Sequence, residues 1–146
     1  MNNDTSTNDA LKARMIAFRR RLYLEHDLGA VDDYIHSQFR SHNALVEPGR
    51  AGYRAFAAHF HAGLPDLTPD FRHVLAEGDK VVTFIHWQAT HTGPFRGIPA
   101  TGKSLVFETA DLFRAQDGLF IEHWDIVDRL PVAQTLGMFR QPAAPS

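Results

Sequence analysis

The chain has 146 residues, no cysteine, 44% apolar residues and a formal net charge of −2 at pH 7. Those values suit one domain with room for a real core, and they exclude disulfide frameworks, thiolate metal sites and cysteine nucleophiles. The one basic cluster, Arg19-Arg20-Arg21, is too narrow for a nucleic-acid surface and reads as a solvated helix face.

Residues 1–9 are polar and lack the apolar core of a signal peptide, and no run approaches membrane-spanning length. A cytoplasmic protein with neither membrane nor nucleic-acid partners is therefore expected. A single domain spans 1–146, with 1–8 read as a disordered lead-in and 141–146 as a frayed tail. Leu11, Met15, Phe18 and Leu22 recur at helical spacing, which predicts an amphipathic helix ending within 27–29. A shorter helix containing Val31, Tyr34 and Ile35 follows, and then an extended piece, Phe39-Arg40-Ser41-His42-Asn43. His42 and Asn43 are candidates to line a cavity, although a polar pair ahead of a loop is also ordinary surface.

Tyr53, Phe56, Ala57, Phe60 and Leu64 mark a third helix with an aromatic face, stopped by Pro65. His59 and His61 on it point roughly 200° apart and cannot share a metal. Beyond Pro69 the pattern changes to strands at 70–77 and 80–91, with a Gly- and Pro-rich connection at 92–103 that suits a pocket mouth. A hairpin of 104–114 and 119–128 turns around Asp117-Gly118, and 131–139 reads as a closing helix. Helices followed by strands indicate an α+β domain in which a curved antiparallel sheet packs on helices. Eleven phenylalanines point to a thick aromatic core or an apolar pocket. Both faces of the last two strands are apolar, with Phe107, Phe113, Ile121 and Val127 on one and Val106, Leu112, Phe120, Trp124 and Ile126 on the other. Helices cover one face, so a homodimer through the outer sheet face is expected.

The last strand threads His123 and Asp125 through an apolar run, and charge in such a place needs a partner or a task. A three-residue loop at 116–118 pairs His123 with Asp111 and Asp125 with Thr109, all on the face carrying Phe107, Phe113 and Ile121. A two-residue Asp-Gly loop would put Asp111 and Asp125 on opposite faces. In the first register the carboxylates are poorly solvated, which raises their pKa and suits acid/base work on a proton beside a carbonyl. His123 is then placed to hold or polarise the substrate oxygen, and Asp111 is the one candidate for a neutral acid beside the base. Asp128 should point away. A structural Asp–His hydrogen bond at a strand end explains the same residues. His86 and His91 fall on opposite strand faces, no other ligand spacing is present, and a metal site is not expected. No serine-hydrolase, P-loop or dinucleotide motif occurs.

Tyr34-Ile35-His36, the segment Gly97-Ile98-Pro99-Ala100-Thr101-Gly102, and Asp117-Gly118 followed by Glu122-His123-Trp124-Asp125-Ile126-Val127-Asp128 resemble the SnoaL-like polyketide cyclases, from about Leu11 to Gly137. The resemblance implies the cone-shaped fold of the nuclear transport factor 2 superfamily, a cystatin-like curved sheet and helices around a pocket, usually dimeric. It implies that Asp125 is the general acid/base of an intramolecular aldol closure needing no metal or organic cofactor. Where those cyclases carry a histidine and a glutamine on the preceding strand, this chain has Asp111 and Thr109. The function so expected is a cofactor-independent cyclase or isomerase acting on a hydrophobic polyketide-like or polycyclic carbonyl compound. Asp125 and His123 would be catalytic, and Asp111, Thr109, Phe107, Phe113, Ile121, His42 and Asn43 would bind substrate. A non-catalytic small-molecule-binding protein of the same fold is the alternative.

Overall fold

The computed structural model describes residues 3–139. Its first helix, α1 (Asn3–Tyr23), begins earlier and ends sooner than its spacing suggests: residues 3–8, read as a disordered lead-in, are helical. That stretch contains no apolar residue, so it leaves no periodicity to detect. The expected tail at 141–146 lies outside the described residues. Met15, Phe18 and Leu22 are fully buried, as their spacing requires.

The short α2 (Ala30–Tyr34) leads into β1 (Ile35–Ser41), and α3 (Gly49–Gly63) then brings Tyr53, Ala57 and Phe60 into the core. β2 (Thr68–Glu77), β3 (Lys80–Thr90), β4 (Ser104–Gln116) and β5 (Leu119–Val127) form an antiparallel meander. β1 joins the β5 edge in parallel, so the five-stranded sheet runs β1-β5-β4-β3-β2 and is mixed. The closing helix, α4 (Leu130–Thr135), is shorter than the 131–139 expected. No helix among the described residues is long and apolar enough to cross a membrane.

Period-two alternation sends Val81, Thr83, Ile85, Trp87 and Ala89 of β3 inward, with Leu105, Phe107 and Phe113 of β4 beside them. There they meet Phe18, Phe39, Tyr53 and Phe60 in a single aromatic-rich core. Phe18 lies 5.5 Å from Tyr53, and Phe39 lies 5.3 Å from it, both ring to ring. Burying each such ring is worth about 1.5–3 kcal/mol.

The β4–β5 hairpin departs from the expected register in an instructive way. Asp117 and Gly118 both have positive φ, 55° and 78°, and form a two-residue turn flanked by Gln116 and Leu119. Such a turn alone would send Asp111 and Asp125 to opposite faces. One extra residue in β5, Ile121, restores them, because Ala115 pairs with Phe120 while Arg114 pairs with Glu122. Beyond this bulge Phe113 faces His123, Asp111 faces Asp125 and Thr109 faces Val127. The expected partners of His123 and Asp125 are thus displaced by two residues, a shift that keeps Thr109, Asp111, His123 and Asp125 on their predicted face. The bulge also turns Phe120, read as outward-facing, into the core, where its ring is 5.4 Å from Phe113 and 6.2 Å from Phe18.

Candidate active site

Four parts of the chain meet on the inner face of the β4–β5 hairpin. The β4 residues Thr109 and Asp111 and the β5 residues His123 and Asp125 share that face, α1 lowers Arg19 onto it, and the chain leaving β1 adds Ser41 and Asn43. Arg19 corrects the reading of 19–21 as a solvated face. Its Nη2 lies 3.0 Å from Asp111 Oδ1, and both side chains are almost completely buried. The cation also sits over the Phe113 ring at 5.2 Å and the Trp87 ring at 5.8 Å.

Asp111 has no free oxygen. Oδ1 accepts from His123 Nε2 at 3.0 Å, and Oδ2 accepts from the Thr109 hydroxyl at 2.7 Å. Thr109 Oγ1 in turn accepts from Trp87 Nε1 at 2.9 Å. Burial alone would push the Asp111 carboxyl up. The charge of Arg19, the His123 hydrogen bond and charge, and the Thr109 hydroxyl outweigh it and hold the acid well below the usual carboxylate range. The upward shift expected for this residue is therefore reversed, which keeps Asp111 ionised near neutral pH and argues against it as a neutral acid. Burial opposes the charge of Arg19, but Asp111 more than compensates and the guanidinium stays protonated.

His123 is held at both nitrogens. Because the ionised Asp111 only accepts, Nε2 carries the proton, and in the neutral ring Nδ1 accepts from the Ser41 hydroxyl at 2.7 Å. Ser41 Oγ also accepts from the backbone N–H of Asn43 at 3.0 Å. The imidazole lies 4.3 Å from the Phe113 ring beneath it. Both ring nitrogens are thus engaged within the protein.

Asp125 is different. Its side chain is 10% exposed, and its Oδ2 accepts from Asn43 Nδ2 at 2.9 Å and lies 3.8 Å from His123 Nε2. Its Oδ1 has no hydrogen-bond partner in the protein among the described residues. Asn43 is oriented by its own Oδ1, which accepts from Leu45 N–H at 2.9 Å.

Two connected spaces meet at this carboxylate. An inner chamber of about 50 Å³ lies among Arg19, Tyr23, Tyr53, Trp87, Asp111 and His123. An outer cleft of about 620 Å³ runs past His42, Leu45, Phe95, Val132 and Met138. Asn43, Phe60, Arg96, Phe107, Asp125, Val127 and Arg129 line both. Burial pushes the Tyr53 phenol up to about 12 against the pull of Arg19, and burial raises Tyr23 well above its ordinary value. Both phenols stay neutral.

Of the residues predicted from sequence, Asp125, His123, Asp111, Thr109, Phe107 and Asn43 line the chamber, the cleft or both. His42 lines the outer cleft, where its Nε2 bonds Glu122 Oε2 at 2.8 Å and its ring stacks 4.7 Å from Trp124. Phe113 and Ile121, expected to bind substrate, line neither space: Phe113 is core beneath His123, and Ile121 is spent on the bulge. Asp128 is exposed and lies in a groove on the outer sheet face, as its alternation requires. Arg19, Ser41, Arg96 and Arg129 were not anticipated. Arg19 left a trace, since Met15, Phe18, Arg19 and Leu22 fall at i, i+3, i+4 and i+7, which places a cation inside the apolar stripe.

Asp111, His123 and Asp125 also offer ligand atoms within 4.8 Å of one another, a grouping that could suit a metal. The donors fit one poorly. Arg19 already supplies the cation beside Asp111, and the His123 Nε2 lone pair is replaced by the N–H that Asp111 accepts.

The pattern of the SnoaL-like polyketide cyclases matches residues 13–136. Among solved structures, TsrD from Streptomyces laurentii is similar at 32% identity and a TM-score of 0.81, covering 89% of this chain and 97% of its own. AclR from Streptomyces galilaeus, a proposed hydroxylase, is 25% identical with a TM-score of 0.80, and the match covers 90% of this chain and 98% of that one. A proposed polyketide cyclase from Acidithiobacillus ferrooxidans is 30% identical with a TM-score of 0.78, covering 88% and 94%. No curated protein matches the chain. The helices and curved five-stranded sheet are those of the nuclear transport factor 2-like cyclases. With the family pattern running from the middle of α1 to the end of α4, this chain belongs to the SnoaL-like polyketide cyclase family.

Proposed function

We propose that the protein is a cofactor-independent acid/base enzyme, an aldol-type cyclase or an isomerase, acting on a polyketide-like or polycyclic carbonyl compound held in the cleft. The observation that carries this reading is Asp125. It is the one carboxylate at the junction of chamber and cleft with an oxygen left unbonded, while its other oxygen is fixed by Asn43.

In the cyclase form, Asp125 takes a proton from the carbon beside a carbonyl and leaves an enolate. The enolate carbon attacks a second carbonyl of the same molecule, a carbon–carbon bond forms, and Asp125 returns its proton to the alkoxide. In the isomerase form the proton returns to a different carbon. Neither consumes a redox equivalent. Arg19 lines the inner chamber, and its Nε has no hydrogen-bond partner among the described residues, so a buried positive charge faces the developing oxyanion. His123, fixed by Ser41 and Asp111, is a positioning residue 3.8 Å from Asp125.

The test is turnover of a panel of aromatic and polyketide-like ketones by the wild type and by Asp125→Asn. The substitution should abolish turnover and leave the circular dichroism spectrum unchanged. Equal activity in the variant would sink the assignment. A holder of hydrophobic ligands without turnover is the second reading, favoured by the inner chamber, which at about 50 Å³ admits little more than one water. It predicts that every bound ketone is recovered unchanged by mass spectrometry.

A homodimer through the outer sheet face is part of the proposal, supported by the exposure of Phe84, Val106 and Ile126 there, Ile126 at 78%. Ile126→Lys should convert a dimer to a monomer in sedimentation velocity, and a wild-type monomer would contradict it. Action in the cytoplasm is likewise proposed, to be checked by cell fractionation.

A further inference from the structure

We propose that Arg96 and Arg129 form an anion-recognition site at the mouth of the cleft, selecting carbonyl compounds that carry a carboxylate. The inference rests on the cleft being the substrate site, and it names the class of substrate.

Both arginines line the inner chamber and the outer cleft. Arg19, Arg21, Arg40, Arg54, Arg72 and Arg114 each have a carboxylate within 4.0 Å; among the described residues Arg14, Arg20, Arg50, Arg96 and Arg129 have none, and of these five Arg96 and Arg129 line the two spaces. Asp125 borders the same spaces but lies within that distance of neither. Burial, and after it the neighbouring charge of Arg129, pulls the Arg96 pKa down, so the two cations oppose each other. A carboxylate placed between them relieves that repulsion and offers paired oxygens to two planar forks.

The arrangement is held in place before any ligand arrives. Arg96 has φ 53° and Gly97 φ 77°, inside a tight turn closed by Phe95 N–H to Ile98 O at 3.0 Å and Ile98 N–H to Phe95 O at 2.9 Å. A non-glycine residue in the left-handed region is uncommon and is retained only when its surroundings enforce it. Here the Arg96 guanidinium lies 5.0 Å over the Phe95 ring and 5.8 Å over Phe60. The loop itself is pressed onto the end of α3. Gly93 donates to Gly63 O at 3.1 Å, and a Cβ on Gly93 would stand 1.9 Å from Ala62 O. At its far end Thr101 is tied to His91 Nδ1 at 2.9 Å. The neighbours Phe95, Phe107, Val132 and Met138 are apolar, so the ligand that fits has an apolar ring body and an anionic head.

The experiment titrates the full chain with 2-naphthoate and with neutral 2-naphthamide, followed by isothermal calorimetry at low and moderate sodium chloride. The wild type should bind the naphthoate at least about tenfold more tightly than the amide, and added salt should narrow the gap. Arg96→Gln and Arg129→Gln should each weaken naphthoate about tenfold and leave the amide unchanged. Equal affinity for the two compounds, no binding of naphthoate, or glutamine variants that bind as the wild type does would each overturn the proposal. If Arg96→Gln fails to fold, Arg129→Gln, at an exposed position, decides alone. The readout is independent of turnover. A protein whose activity dies with Asp125→Asn but which binds both naphthalenes alike keeps the catalytic reading and loses this one.

Discussion

Arg19 Nη2 and Asp111 Oδ1 stand 3.0 Å apart with side chains 5% and 4% exposed, joining the first helix to the fourth strand directly beneath the candidate base. Removing either partner strands a buried charge. Arg19→Met and Asp111→Asn should each cost about 3–5 kcal/mol in urea unfolding. The double variant should cost less than their sum by at least about 1 kcal/mol, because it removes both charges together. Additive losses would show that the pair is not coupled.

The same carboxylate sets the acid limit of stability. Asp111 titrates well below an unfolded aspartate near 3.9. Glu122 is held to about 2 by its hydrogen bond with His42, against the effect of burial, with further help from Arg114 and Arg40. Depressed carboxylates bind protons first in the unfolded chain, so their stabilisation is complete above about pH 5 and declines as pH falls through 4 toward 2. Urea midpoints measured between pH 7 and pH 3 should fall steadily. In Asp111→Asn the drop across that range should be smaller than in the wild type, even though the variant starts less stable.

In the proposed mechanism Asn43 acts through Asp125. Asn43→Ala removes the 2.9 Å hydrogen bond that orients the carboxylate and leaves Asp125 in place. Once a substrate is in hand, kcat should drop roughly tenfold while KM changes little, the pattern of a lost orienting contact. A change confined to KM would assign Asn43 to binding alone.

The bulge in β5 rests on one residue, Ile121. Deleting Ile121 removes the bulge and, with the Asp117-Gly118 turn kept, leaves Ala115 opposite Phe120 and Arg114 opposite Glu122 in one regular ladder, so His123 and Asp125 keep their inward face. The deletion should therefore keep a cooperative urea transition, and Ile121→Val should be tolerated at about 0.5–1.5 kcal/mol; loss of the cooperative transition on deletion would contradict this pairing.

Much of this was readable beforehand. The spacing of Tyr53, Phe56, Ala57 and Phe60 announces α3, and the alternation within 119–127 places His123 and Asp125 on one face. The pairing was less accessible, because a bulge shows only as two consecutive inward side chains, Phe120 and Ile121, which an apolar strand carries without comment. Arg19 was legible but misread with its neighbours Arg20 and Arg21: three adjacent arginines look alike in sequence, yet at 100° per residue only one lies in the Met15–Leu22 stripe. Arg96 and Arg129 sit in irregular backbone, where periodicity says nothing about which side chains share a cleft.

The central claim, that Asp125 moves a proton beside a carbonyl, is tested most directly by deuterium incorporation. A panel of aromatic 1,3-dicarbonyl compounds is incubated in heavy water with the wild type and with Asp125→Asn, and the α-position is followed by proton NMR. Loss of the α-proton signal well above the buffer rate with the wild type, and at the buffer rate with Asp125→Asn, is the predicted result. Exchange that is equally fast with both proteins would contradict it.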